Sequence, residues 1–253
     1  MGGAMIDVLV TGAAGKMGSL SAATIAAQDD LCLAALVDPR PGDGGEVPWF
    51  TDVGAALSLV SPAAALEFSV PGAVYGNTAA LLDAGVPTVV GATGLADDQV
   101  ADLSAKAATT GVGLVIAPNF ALGAVLMMRF ARAAAKYFPD CEIIELHHDG
   151  KVDFPSGTAK ATAHEVASAR GDAVGPARGA GTRGVEIEGV PVHSVRLPGL
   201  VAHQEVIFGG AGQTLTIRHD SLGRDSFMPG VLMAIRKSVN LDRVVLGLGP
   251  LLD

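Results

Sequence analysis

The most constraining feature of the chain lies at its start. A β-branched apolar run, Ile6–Thr11, passes straight into Gly12-Ala13-Ala14-Gly15-Lys16-Met17-Gly18, and a helical pattern follows over Lys16–Gln28. A strand, a glycine-rich turn and a helix in that order bring backbone N–H groups and a helix N-terminus against a pyrophosphate. Glycines there let the backbone approach a ligand without Cβ collisions. The spacing is G-x-x-G-x-x-G, with Ala14 where the usual dinucleotide fingerprint has its second glycine. Gly12, Ala13, Ala14, Gly15, Lys16 and Met17 are therefore the first candidate cofactor-binding residues. Asp38 ends the next apolar run, Leu31–Val37, where an acid can meet the ribose hydroxyls. Lys16 and Arg40 stand where either can meet a 2′-phosphate. The acid favours NADH and the cations tolerate NADPH, so use of both is expected.

The alternation set up by this opening continues. Ala64–Phe68, Val86–Val90 and Leu114–Ala117 read as strands, with helices expected across Tyr75–Asp83 and Asp97–Ala108. Such repetition implies right-handed βαβ units and a doubly wound parallel sheet of Rossmann type. Ligands of open α/β sheets sit at the carboxyl ends of the strands. Gly91, Ala92 and Thr93, after one strand, and Ala117, Pro118, Asn119 and Phe120, after another, are accordingly further candidates for cofactor contact.

After Asn119 the pattern changes. Ala121–Tyr137 reads as a long helix, Glu142–His147 as a strand and Ser156–Arg170 as a helix. A glycine-rich loop, Gly171–Gly184, follows. Then Val192–Leu197, Glu205–Phe208 and Thr214–Arg218 come with little room for helices, as in a smaller α+β domain with an open mixed sheet. Asp225–Asn240 reads as a closing helix. The expected organisation is a dinucleotide-binding domain of residues 1–119 and 229–253, and a substrate-binding domain of residues 120–228.

Composition narrows the classes. Of 253 residues, 49% are hydrophobic and only 17% charged, which argues against disorder. The net charge of −9 and the lack of a Lys/Arg run exclude a general nucleic-acid binder. No basic stretch followed by a long apolar one opens the chain, and the least polar stretch, Gly111–Met128, is broken by Pro118, Asn119 and Gly123. No signal peptide, no membrane span and a cytoplasmic location are the expectation. Cys32 and Cys141 lie in separate strand-like runs and read as buried free thiols; without a C-x-x-C pair, no metal site is expected.

The densest polar cluster is Glu145-Leu146-His147-His148-Asp149-Gly150-Lys151-Val152-Asp153-Phe154-Pro155-Ser156-Gly157-Thr158. Histidine moves protons near neutral pH. Lys151 adds a fixed positive charge, and the helix start at Ser156, Gly157 and Thr158 is an anion site. A cation beside such a start points to a substrate bearing carboxylates. Strand alternation puts His147 on the face of Glu145 and His148 on that of Leu146, unless the strand ends between the histidines. Neither Tyr75 nor Tyr137 has a lysine four residues on, so the Tyr-x-x-x-Lys centre is absent. His193, Arg196, His203 and Arg218 read as structural residues of the later strands, His164 as lying on a solvated helix face, and Arg178 and Arg183 as flanking the glycine-rich loop outside the site.

The run E-L-H-H-D-G-K-V-D-F-P-S-G-T-A from Glu145 resembles the signature of the dihydrodipicolinate reductase family. So do V-T-G-A-A-G-K-M-G at the start, G-A-T-G from Gly91, A-P-N-F from Ala117, H-S-V-R-L-P-G-L-V-A-H-Q-E-V-I-F-G from His193 and H-D-S-L-G-R-D-S-F from His219. The resemblance implies NAD(P)H-dependent reduction of a cyclic dicarboxylate in diaminopimelate and lysine biosynthesis. It implies His147 as proton donor/acceptor, Lys151 as second proton donor, and His148, Gly157 and Thr158 as substrate carboxylate contacts. It also implies a homotetramer built through the sheets of the second domain. Phe154 departs from the family pattern, which has a small residue there, Asp38 replaces a common Glu, and Pro39 separates Arg40 from that acid.

Overall fold

The structure is a computed structural model that describes residues 5–40, 42, 45–170 and 183–252. The expected glycine-rich loop lies, as far as residue 182, outside the described residues, and Arg178 with it. The chain divides into two compact units, Met1–Phe120 with Phe227–Asp253, and Ala121–Ser226. None of the helices among the described residues is long and apolar enough to cross a membrane.

The first unit is built on a seven-stranded sheet of β1 (Ile6–Thr11), β2 (Leu31–Val37), β3 (Trp49–Phe50), β4 (Ala64–Glu67), β5 (Thr88–Val90), β6 (Leu114–Ile116) and β12 (Val244–Leu246). Their order is β12-β6-β5-β4-β1-β2-β3, and every pairing is parallel. Strands buried on both faces read as continuous apolar runs, which is why β1, β2 and β4 were legible. β1 pairs with β2 on one side and β4 on the other, so the strand order reverses there, the place where doubly wound sheets open a crevice. The helices α1 (Lys16–Ala26), α3 (Pro71–Asp83), α4 (Asp97–Thr110) and α7 (Met228–Ser238) belong to this unit, as does the short α2 (Val53–Leu57).

Three of these elements were not expected: β3, α2 and β12. All are too short for a period to show. α2 is set by its cap, the Asp52 side chain accepting the Ala55 N–H at 2.8 Å. Two helix starts in this unit also moved by three or four residues. α3 begins at Pro71 rather than near Tyr75, because proline suits the first turn of a helix. The closing helix begins at Met228, after a 3-10 turn over Arg224–Phe227, again with a proline in its first turn.

The second unit is a five-stranded mixed sheet in the order β11-β10-β7-β9-β8. β7 is Asp140–His147, β8 Val185–Ile187, β9 Val190–Arg196, β10 Ala202–Gly210 and β11 Gln213–Ser221. β7 runs antiparallel to β10 and parallel to β9. The helices α5 (Leu122–Ala134) and α6 (Gly157–Arg170) contribute Met127, Ala163 and Val166 to a core shared with Ile143, Val192, Val206 and Phe208 of the strands. Along β7 the buried positions alternate: Cys141, Ile143 and then Glu145. A carboxylate thus occupies a position that the pleat turns into the apolar core.

Cys141 is buried, which pushes its thiol up to about 12, whereas Cys32 is only half-buried, a correction to the expectation for that residue. Phe208 is completely buried. Phe208→Ala should destabilise the protein by about 3–5 kcal/mol, read from urea unfolding followed by circular dichroism.

Candidate active site

In the first unit the site is made where β1, β2 and β4 end. Gly12 has φ +64°, and a Cβ there would fall 2.3 Å from the Phe68 carbonyl oxygen, so only glycine fits. Its carbonyl accepts the Gly15 N–H at 2.9 Å, which closes the turn before α1 starts. Ala13 is buried and ties back to the Val37 carbonyl at 3.2 Å, while Ala14, Lys16 and Met17 face outward to differing degrees. Asp38 is buried. One carboxylate oxygen accepts the Ala14 N–H at 3.2 Å and the other the Arg40 N–H at 2.9 Å. The acid therefore joins the end of β2 to the glycine turn. Despite Pro39, the Arg40 guanidinium comes within 3.7 Å of Asp38, with 82% of its side chain exposed.

These residues border a cavity of about 490 Å³ whose lining includes Gly12, Gly15, Asp38, Arg40, Thr51 and Ser69. The candidates Gly91, Ala92, Thr93, Ala117, Pro118, Asn119 and Phe120 do not line it. Two of them, Gly91 and Phe120, meet it at one remove. A Cβ on Gly91 would lie 2.1 Å from Phe68, a lining residue, and 2.7 Å from Phe120. The two rings make an edge-on pair with centroids 5.8 Å apart. Gly91 and Ala92 donate to the Glu67 carbonyl, and Ala117 to that of Val90.

Sequence reasoning missed Glu67, Thr51 and Ser69. Glu67 is wholly buried; it accepts from the Thr11 hydroxyl and from the Ser69 N–H, both at 2.6 Å. Its signal was there to read: an acid closing an otherwise apolar buried strand. Thr51 lies in a connection without periodicity, and nothing in the sequence marked it.

In the second unit β7 ends at His147, so the strand does end between the two histidines. His147 and Glu145 share a face, and His147 Nδ1 stands 2.5 Å from Glu145 Oε2. Glu145 has no exposed surface, and the Arg196 guanidinium grips it with two bonds of 2.8 Å. Burial pushes the carboxyl up, but bonds from Arg196, Ser194 and His147 outweigh it and hold it below the usual range. For His147, burial and the nearby Lys151 and Arg196 cations outweigh Glu145 and hold the imidazole below its usual value. His148 is exposed, one residue beyond the strand, and Lys151 pairs with Asp153 at 2.7 Å.

The helix start is organised differently from expectation. Ser156 is buried; its N–H goes to Glu145 Oε1 at 3.2 Å, and its hydroxyl oxygen accepts the Ala159 N–H at 3.2 Å. Those two groups are committed within the protein, so Ser156 builds the helix start, and Gly157 and Thr158 present its first turn. At Gly157 a Cβ would meet nothing within 4 Å. Arg196, taken from the sequence as a strand residue alone, lies in this cluster. His193 bonds Glu142, which also pairs with Arg183, and His203 and Arg218 bond Asp220. His164 faces solvent beside Glu188.

A parallel doubly wound unit with a glycine turn, in one chain with a mixed-sheet unit, is a build that recurs among solved structures. A probable dehydrogenase from Thermotoga maritima shares it with a TM-score of 0.64 over 97% of this chain and 92% of its own, at 15% identity, a likeness of fold alone. The particular family follows from sequence. Residues 6–120 match the family described as dihydrodipicolinate reductase, N-terminus, and residues 123–252 match dihydrodipicolinate reductase, C-terminus. The 4-hydroxy-tetrahydrodipicolinate reductase of Listeria innocua is 46% identical over 98% of this chain and all of its own. A dipicolinate-bound dihydrodipicolinate reductase from Paenisporosarcina sp. TG-14 superposes with a TM-score of 0.88 at 40% identity, over 97% of this chain and 99% of that one. The chain belongs to the dihydrodipicolinate reductase family.

The depressed values of Glu145 and His147 set a pH dependence. In both cases the unfolded chain takes the proton more readily than the folded one. The stability they contribute is fully present above the ordinary values, about 6.5 for imidazole and about 4.3 for glutamate, and is lost as pH falls through the native ones. The urea midpoint should drop between about pH 7.5 and pH 5, within the range set by these values. The drop should be shallower in His147→Asn, as measured by circular dichroism; an equal slope in the variant contradicts this.

Proposed function

We propose that the chain reduces 4-hydroxy-tetrahydrodipicolinate to tetrahydrodipicolinate with NADH or NADPH, the 4-hydroxyl leaving as water, within diaminopimelate and lysine biosynthesis. The observation that carries this reading is the meeting, on one buried carboxylate, of an imidazole and of a helix start fit for an anion, in a chain of this family. As an oxidoreductase of the family it uses a nicotinamide cofactor. The first unit fits that group: at Gly12 the space a Cβ would fill is already tight, and the adjoining cavity is edged by Asp38 and Arg40. Gly12, Ala13, Ala14, Gly15, Lys16 and Met17 hold the pyrophosphate side and Asp38 the ribose, with Arg40 the partner for a 2′-phosphate. Gly91, Ala92, Thr93, Ala117, Pro118, Asn119 and Phe120 serve the nicotinamide side.

The bound nicotinamide supplies the hydride. The rest is done by this chain's own groups. His147 gives a proton from Nε2, because Nδ1 is committed to Glu145. Lys151, steadied by Asp153, is the second proton donor and offsets charge as it develops. His148, Gly157 and Thr158 bind a substrate carboxylate, with Ser156 shaping the turn that presents them. The working form is a cytoplasmic homotetramer. Its support is the resemblance, the two unpaired cysteines, and β11 at the edge of the second sheet with an exposed face that includes Leu215.

A coupled assay tests the reading. With substrate made by the preceding synthase, both NADH and NADPH should be oxidised. A preference above about a thousandfold, roughly 4 kcal/mol, would overturn dual use, and no oxidation of either would overturn the activity. His147→Ala should lower kcat by roughly 10²–10⁴-fold with cofactor KM nearly unchanged.

A further inference from the structure

The carboxylate that meets His147 also organises groups the proposed chemistry leaves unexplained. Glu145 Oε1 accepts from Arg196 Nη2 at 2.8 Å and from the Ser156 N–H at 3.2 Å. Oε2 accepts from Arg196 Nη1 at 2.8 Å and faces His147 Nδ1 at 2.5 Å. Arg196 then reaches past the carboxylate. Its Nη2 donates to the Asp153 carbonyl at 2.7 Å and its Nε to the Lys151 carbonyl at 3.3 Å. One ion pair thus touches the imidazole, the backbone that carries the Lys151 ammonium, and the helix start.

We infer that Glu145 and Arg196 are positioning residues of the reduction: Glu145 fixes the His147 ring by Nδ1, and the Arg196 fork locks Glu145 and the Lys151–Asp153 backbone into a single assembly. The inference rests on His147 being the proton donor proposed above. A planar guanidinium presents two parallel donors to one carboxylate and keeps others for carbonyls beyond it; an ammonium cannot do both. The second-unit sheet supplies the geometry. Glu145 and His147 lie on one face of β7, and in register with them on β9 are Ser194 and Arg196.

The pair also acts on His147 with opposite signs. The Glu145 charge favours the imidazolium, while Arg196 and Lys151 oppose it. Asp153, bonded to Lys151, is a further charge of that assembly. β10 sets uncharged Ala202 opposite His147 and Gln204 opposite Glu145; His203, in register with Leu146, bonds Asp220 instead.

The test uses full-length Glu145→Gln, Arg196→Gln and Arg196→Lys. Three quantities are read: kcat against pH, cofactor KM, and the titration of the His147 ring by nitrogen-15 NMR. Glu145→Gln should lower kcat by up to about 10²-fold, the scale of a small misplacement, and move the alkaline limb of kcat to lower pH. Arg196→Gln should also slow the reaction but move that limb to higher pH. Arg196→Lys should bring the limb back toward the native position while kcat stays low, because the charge returns without the fork. Cofactor KM should stay near native throughout. Limbs that stay put, or move together, with kcat falling only as the folded fraction falls, overturn the inference. A ring titration that moves in opposite directions while the rate profile does not follow overturns instead the proton-donor role of His147. If Glu145→Gln does not fold, Arg196→Lys decides alone: native kcat in that variant refutes the clamp.

Discussion

The second unit depends on a carboxylate being tolerable where the pleat of β7 demands an apolar side chain. Glu145 follows Cys141 and Ile143 on the buried face of that strand. Burying an isolated charge there would cost far more than the fold can bear, so every lone pair needs a partner. Arg196, His147, Ser194 and Ser156 meet that need from β9, from β7 itself and from the start of α6. The reactive groups sit at fixed positions because they double as the solution to a burial problem.

The first unit solves a similar problem at the carboxyl ends of its parallel strands. Asp38 and Glu67 are both buried, and each spends its oxygens on backbone N–H groups or a hydroxyl of the turns beside them. The turns after β1, β2 and β4 are thereby fixed to one another rather than left as independent loops. Rigidity of that kind keeps N–H groups aimed before any ligand arrives, which lowers the entropy lost on binding.

Much of this was legible in the sequence because it rests on local rules. Gly12 announces itself by its place between a β-branched run and a helix, and the end of β7 by Asp149-Gly150 after the histidines. What escaped notice has a common physical cause. Arg196 lies far along the chain from Glu145, and only the parallel pairing of β7 with β9 brings them together; no local period encodes that register. β3, α2 and β12 are held by neighbours and caps rather than by their own patterns. The partner of the Ser156 N–H was hidden for the same reason. That donor, read as free from the helix start alone, is claimed by a strand residue.

The division of the chain has a consequence for the order in which it is made. The first unit takes its last strand and α7 from the C-terminal stretch after Phe227, with Val231, Ala234 and Ile235 buried on that helix. The second unit is one unbroken stretch from Ala121 to Ser226. A chain emerging from its N-terminus therefore holds an unfinished sheet, with β6 lacking its outer neighbour, until the stretch after Phe227 follows. The stretch that supplies the second unit is made before it, so the sheet of the first unit closes only with residues made after that stretch.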